Sequence, residues 1–308
     1  MNLQQLEYLI ALEAHRHFGK AAAECFVTQP TLSAMVQKIE EELGVKLFDR
    51  SRQPIALTDA GERLLPQVRV ILREVERLRE MAREEERDLK GELRIGVIPT
   101  LSPYLMPLFL PHFVKKYPAV RLKVTERVTE ILIERLHKGL LDAAILATPL
   151  EDPLLTEHVL FYEAFVVYSS HPFTKESLLP EDLDVNELWL LEEGHCFRSQ
   201  ILKLCDLREK HHPAVEYQAG SLETLKHLVD AQHGVTILPE LVLSTLTPAQ
   251  MTKVKRFAEP APVREISLVT HRHAVKERLL KALQEEILFH LPEECRRRQP
   301  AQTPLTWR

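Results

Sequence analysis

Val27-Thr28-Gln29-Pro30-Thr31-Leu32-Ser33-Ala34-Met35-Val36-Gln37-Lys38-Ile39-Glu40-Glu41-Glu42-Leu43-Gly44 reads as one capped helix with two unlike faces. Thr28 is a good N-cap, because its hydroxyl can accept from a free N–H of the first turn. Pro30 is tolerated there because those N–H groups have no helical partner. Leu32, Val36, Ile39 and Leu43 step by four, three and four, which gives one apolar stripe. The other face carries Gln29, Thr31, Ser33, Ala34, Gln37 and Lys38, small or amide-bearing groups that can approach base edges in a major groove. Gly44 ends the helix.

Upstream, Leu3, Leu6, Leu9, Ile10 and Leu12 predict an amphipathic helix from Leu3 to His15. Phe18-Gly19-Lys20 leads into Ala21-Ala22-Ala23, a short helix whose small residues let a neighbour cross closely. Downstream, short strands from Val45 to Phe48 and Ile55 to Leu57 flank Asp49-Arg50-Ser51-Arg52-Gln53-Pro54. A basic tip beside a recognition helix suits phosphate contact, as a wing. Residues 1–60 thus fit a winged helix-turn-helix, with Thr28, Gln29, Pro30, Thr31, Ser33, Gln37, Lys38, Arg50 and Arg52 as candidate DNA contacts. Spacing alone fits a generic helical subdomain with a solvated polar face equally well.

The 308 residues suggest two or three folding units, and an apolar share of 45% can bury a substantial core. No run of about 18 apolar residues predicts a membrane span. Met1-Asn2-Leu3-Gln4-Gln5-Leu6-Glu7 has no basic flank or apolar signal core, so the expectation is a cytoplasmic protein with reduced cysteines. The net charge of −5 does not point to nucleic acid. Nor does the head: residues 1–65 hold seven Lys/Arg and nine Asp/Glu, a net of −2. DNA contact must then rest on local placement of charge.

Ala21-Ala22-Ala23, Val27 to Ser33, Glu40-Glu41-Glu42-Leu43-Gly44-Val45-Lys46-Leu47-Phe48-Asp49-Arg50 and Leu57-Thr58-Asp59-Ala60-Gly61 together resemble the LysR-type regulators. The resemblance implies double-stranded DNA as a partner, an operator with paired half-sites, a homodimer or homotetramer, RNA polymerase as a further partner, and a sensor domain behind the head.

Residues 61–90 read as a linker helix. Leu64, Val68, Ile71, Val75, Leu78 and Ala82 step by four and three, a heptad seam flanked by Arg and Glu. About 30 such residues would span ~45 Å. The stripe needs a partner, either a second copy or the helix's own domain. Interior Pro66 predicts a bend near Arg63 to Pro66. Lys90-Gly91 closes the linker.

Residues 91–291 alternate strand and helix. Strand candidates are Leu93–Ile98, Val120–Val124, Ala143–Ala147, Ala164–Tyr168, Leu188–Leu191, Val235–Leu238 and Ile266–Thr270, with a helix at Ile131–Lys138 ended by Gly139. This predicts an α/β region with largely parallel sheets, so the fold class is α+β overall. No Gly-rich phosphate loop is present, and no cofactor is implied. LysR-type sensors resemble periplasmic binding proteins, with a ligand cleft between two α/β lobes. By that analogy lobe I is about 91–161 and 266–291, and lobe II about 162–265. Thr100 and Thr129 then fall at the carboxyl ends of strands, where ligands sit. The polar tail 292–308, with Cys295 and Arg296-Arg297-Arg298, is expected to be disordered.

Leu191-Glu192-Glu193-Gly194-His195-Cys196-Phe197-Arg198-Ser199-Gln200 stands out. Cys196 precedes a helical pattern of Ile201, Leu204 and Leu207, so a helix dipole and a nearby His or Arg would lower its pKa. Two plainer readings stay open: a small buried hydrophobe, or a zinc site of His195, Cys196, Cys205, His211 and His212, whose spacing matches no standard finger. If 197–208 is helical, Cys196 and Cys205 lie ~13 Å apart along its axis. Cys25 reads as head core.

This stretch, with Ile98-Pro99-Thr100, Pro103-Tyr104-Leu105 and Thr129, is similar to the peroxide-sensing members of the LysR family. That resemblance implies hydrogen peroxide as the signal, Cys196 as the peroxidatic thiol and Cys205 as the resolving thiol. Thr100, Thr129 and His195 would orient peroxide and water, with an Arg after the last sensor strand, here Arg272. A Cys196–Cys205 disulfide would switch the protein, and a cellular thiol reductant would reset it. Such a chain is not an enzyme. The alternatives are a LysR-type regulator of a small metabolite, and a thiol peroxidase, which has no need of a DNA-binding head.

Overall fold

The computed structural model describes residues 1–83, 89–173, 175–205, 219–231, 234–297 and 305. The chain divides into two compact units, Met1–Arg87 and Asp88–Arg308.

The first unit packs α1 (Leu3–His15), α2 (Phe18–Glu24) and α3 (Gln29–Leu43) around one core. Asn2 starts α1 with a reciprocal cap to Gln5. Ala21 and Ala22 are buried, as close helix crossing requires. The Thr28 hydroxyl accepts from the Thr31 N–H at 3.4 Å, and Gly44 ends α3 at φ +71°. Leu32, Val36 and Ile39 are fully buried, whereas Leu43 is 41% exposed, so the stripe stops one turn early.

The wing is smaller than its sequence suggests. β1 (Phe48–Asp49) pairs antiparallel with β2 (Ala56–Leu57). The first strand starts later than Val45 because buried Glu40 of α3 takes the Leu47 and Phe48 N–H groups, at 2.8 and 3.2 Å. These donors are satisfied by a side chain and leave no ladder to extend.

α4 (Asp59–Arg83) runs unbroken through Pro66. Its first turns belong to the head: Leu65 and Val68 are buried in that core, with Ile71 and Leu72 packed against it. Leu64 and Leu78 are exposed, and the head's own core takes Leu65 instead. The Ala82 side chain and residues 84–88 lie outside the described part.

In the second unit, β3 (Gly91–Val97), α5 (Ser102–Lys116), β4 (Val120–Glu126), α6 (Thr129–His137) and β5 (Ala143–Thr148) come first. β6 (Leu155–Ser169) then leads into β7 (Ser177–Leu178), β8 (Leu188–Trp189), α7 (Cys196–Leu204), α8 (Leu222–Asp230) and β9 (Val235–Pro239). α9 (Pro248–Met251), β10 (Val254–Phe257), β11 (Val263–His271), α10 (Glu277–His290) and α11 (Glu293–Arg297) complete it.

The main sheet runs β4-β3-β5-β11-β6-β10-β7, and β9 also pairs with β6 and with β8. β3 is parallel to both β4 and β5, but β11 is antiparallel to β5 and β6, and β6 is antiparallel to β9 and β10. The sheet is therefore mixed and not largely parallel. The physical reason is the crossing: β6 carries the chain out of the first lobe and β11 brings it back, so the two must run in opposite directions. β6 pairs with β11 up to Ala164 and with β9 from Phe165.

The described parts of the tail pack on the sensor, against the expectation of disorder. α11 buries Cys295 in the sensor core. Leu305 donates its N–H to the Val263 carbonyl at 3.0 Å and accepts from Gln200 Nε2 at 2.8 Å. A single apolar anchor holds each segment despite its charged neighbours. Arg298 lies outside the described residues.

Candidate functional site

After β8, Leu190 and Leu191 bury against the second-lobe sheet, and Gly194 reverses the chain at φ +92°. His195 is the N-cap residue of α7 and offers it no side-chain cap; Cys196 is its first residue. The buried residues Cys196, Phe197, Gln200 and Ile201 turn one face of α7 inward.

Around Cys196 stand residues from widely separated elements. Thr129 opens α6, and Arg264 lies near the start of β11. Burial pushes the Cys196 thiol up. The Thr129 hydroxyl, the Arg264 guanidinium and the N–H groups at the start of α7 favour the thiolate without overcoming burial. The expected net lowering by the dipole is therefore corrected: desolvation wins over the favourable charges. The buried Thr129 hydroxyl is close enough to favour the thiolate yet makes no hydrogen bond of normal geometry. His195 is also buried, which lowers its pKa against the pull of Glu192, 3.8 Å away.

Arg264 is fully buried and joins the lobes' crossing strands to the site. It donates from Nε to Glu163 at 2.8 Å and from Nη1 to the Thr100 hydroxyl at 3.0 Å. Glu163 is its cross-strand partner and also accepts the Leu241 N–H at 2.9 Å. The guanidinium stacks over Phe197 of α7, 5.0 Å from the ring centre. A buried charge pair thus fixes Thr100, Arg264 and the start of α7 together.

Thr100, Thr129, His195 and Cys196 are buried in this lobe-crossing region. Arg272 is not part of the arrangement. It is exposed and donates to His273 Nε2 at 3.1 Å. Eight residues of strand, about 27 Å, separate it from Arg264. The arginine sought after the last sensor strand stands instead near that strand's beginning. The signal was present in the sequence: Glu163 and Arg264 are opposite charges inside apolar strand patterns.

Cys205 caps the other end of α7, where burial alone pushes its thiol up to about 11. Nine residues of helix put the cysteines about 13 Å apart along the axis. A disulfide needs Cα atoms within ~7 Å, so α7 must unwind before the two can join. Leu207, His211 and His212 lie outside the described residues. Cys25 is only half-buried, at the end of α2.

In the head, Thr28, Gln29, Pro30, Thr31, Gln37 and Lys38 are exposed at or along α3, and Ser33 is half-buried. Arg50 is partly committed to the fold. It pairs with Glu40 at 3.1 Å, donates to the Ser33 hydroxyl at 3.3 Å and lies over Phe18. Arg52 pairs with Asp49 at 3.1 Å.

A winged helix-turn-helix followed by a two-lobed sensor defines a class of ligand- or redox-responsive regulator. Residues 3–62 match the model of the bacterial regulatory helix-turn-helix protein, lysR family, and residues 86–292 match that of the LysR substrate binding domain. The chain belongs to the LysR family. It is 39% identical to the DNA-binding transcriptional dual regulator OxyR of Escherichia coli strain K12, covering 87% of this chain and 89% of that one. It is 34% identical to the HTH-type transcriptional regulator EstR of Acinetobacter baylyi, covering 88% and 91%. A full-length OxyR variant from Pseudomonas aeruginosa superposes with a TM-score of 0.81 at 34% identity, covering 94% of this chain and 99% of that one.

Proposed function

We propose that this chain is a hydrogen-peroxide-responsive, DNA-binding transcription regulator. The observation that carries the reading is one helix, α7, with Cys196 as its first residue beside Thr129 and Arg264, and Cys205 at its end. The relatives that bear the name OxyR support the same signal.

The Cys196 thiolate attacks one peroxide oxygen; the O–O bond breaks, and the leaving hydroxide takes a proton to become water. Cys196 is left as a sulfenic acid. Thr100, Thr129 and His195 hold peroxide and water, and Arg264 supplies positive charge where the hydroxide leaves. The Cys205 thiolate then attacks the sulfenic sulfur, expelling hydroxide that is protonated to water, and a disulfide forms. Closing a loop this short biases the unwound form by about 2–3 kcal/mol. That shifts a poised equilibrium about a hundredfold. A dithiol reductant returns two electrons and two protons to reset it.

The heads act in pairs on double-stranded DNA with two half-sites, in a homodimer or homotetramer joined through α4. Exposed Leu64 and Leu78 on that helix support such a seam. Gln29, Thr31, Ser33, Gln37 and Lys38 read the groove, Thr28 and Pro30 shape the approach, and Arg50 and Arg52 meet phosphate.

The test treats the full-length protein with stoichiometric peroxide and maps thiols by mass spectrometry. A Cys196–Cys205 disulfide is expected, together with its complete loss in Cys196→Ser. Unmodified thiols at low peroxide would sink the reading. The reading that would then remain is a LysR-type regulator answering a small metabolite.

A further inference from the structure

Away from the cysteine site, His271 and Arg272 line a cavity of about 450 Å³ in the first lobe. That is within the size range of small-molecule sites. Its floor is the sheet face of β6 and β11, where Thr156 stands opposite Thr270 and His158 lies on the same face. Its rim carries Arg272 and, from α10, Glu277 and Lys281.

A helix lying on a sheet face ordinarily fills the gap with apolar side chains. Here the gap is open, and polar side chains share its lining with Leu268, Ala274 and Leu280. Thr270, only 3% exposed, lines this cavity from β11. A threonine hydroxyl can donate and accept, so Thr270 offers a ligand in the cavity a hydrogen-bonding group. Lys281 and Glu277 form no ion pair among the described residues, and the Arg272 side chain bonds only to a neighbouring imidazole. Two permanent cations therefore face one carboxylate, and the cavity carries net positive charge. Arginine's planar fork matches a carboxylate, and lysine adds a point charge.

We propose that this cavity is a second ligand site, taking a small organic carboxylate whose hydroxyl reaches Thr270. Arg272 and Lys281 bind the carboxylate; Glu277 weakens the attraction and sets an upper limit on affinity. Lys276, the residue before α10, donates to the Glu92 carbonyl at 2.7 Å and to Asp142 at 2.9 Å. The helical wall of the site is thus tied to β3, the first strand of the sensor. Binding here is independent of the thiol chemistry.

Titration calorimetry of the full chain with malate tests it, with sodium chloride at equal ionic strength and with glycerol as controls. Saturable binding to malate alone is expected. The double variant Arg272→Gln, Lys281→Gln should weaken it at least about tenfold, or 1.4 kcal/mol. Glu277→Gln should tighten it about threefold, because a like charge is removed. Thr270→Val should weaken it, and Cys196→Ser should leave it unchanged. Arg272, Lys281 and Glu277 are exposed, so these variants are expected to melt as the parent does without ligand. Malate heats equal to those of sodium chloride, or undiminished binding in the double variant, overturn the site. Neither result bears on whether peroxide oxidises Cys196.

Discussion

Helices α3 and α7 carry the two candidate functional faces, and they are terminated in opposite ways. α3 has a side-chain N-cap from Thr28 and a left-handed glycine, Gly44, at its end. α7 has no side-chain cap from His195 and ends at Cys205 without a left-handed residue. α3 is fixed by its own sequence and presents a constant surface. α7 is held from the side instead, by Phe197 beneath Arg264, by Arg198 on the Leu191 carbonyl and by Gln200 on Leu305. On the proposed function, the helix that reads DNA is secured at its ends, and the helix that unwinds is secured by contacts that can be lost together.

Removing the lateral hold should do the most. Arg264→Met leaves Glu163 buried without its partner and should cost about 3–5 kcal/mol of sensor stability. Urea unfolding would measure it, and hydrogen exchange should show α7 opening before any oxidation. An unchanged α7 would mean that its ends secure it after all.

Gly61→Ala attacks the head. A Cβ there would lie 2.2 Å from the Leu47 carbonyl oxygen, against backbone that cannot swing aside. The expected cost is about 2–3 kcal/mol, with a weakened DNA footprint and no change in Cys196 oxidation. Thr28→Ala removes only the cap of α3 and should cost about 1 kcal/mol, again leaving the cysteines untouched.

The smallest effect is on pH dependence. Burial raises the Cys205 thiol to about 11, so the folded state keeps a proton that the unfolded chain releases from about 8.5 upward. That contribution is fully present below about 8.5 and fades as pH climbs toward 11. Cys205→Ala should flatten the alkaline limb of a melting-temperature profile. His195 works in the other direction: its lowered pKa makes stability fall as pH drops through the ordinary histidine range, and His195→Gln should flatten that acid limb.

Much of the head was legible because its determinants are local. The α3 stripe, the Thr28 cap and Gly44 are a matter of spacing within one helix, and α1 was found with its own ends. The wing was read too long, since Glu40 reaches Leu47 and Phe48 from another element and no strand pattern shows that. The sensor gave up most of its strands, though not the first part of β6, nor β7 and β10, and not their directions, because parallel and antiparallel neighbours look alike in an apolar run.

The sequence by itself determined that a DNA-binding head precedes an α/β sensor, and that Cys196 opens a helix. Periodicity, caps and short motifs are properties of contiguous residues. Only the tertiary structure decided that Arg264, and not Arg272, stands beside Cys196, and that the thiol is raised and not lowered. Both depend on which strand ends meet and how deeply the site is buried, and water exclusion is set by the whole fold around a residue.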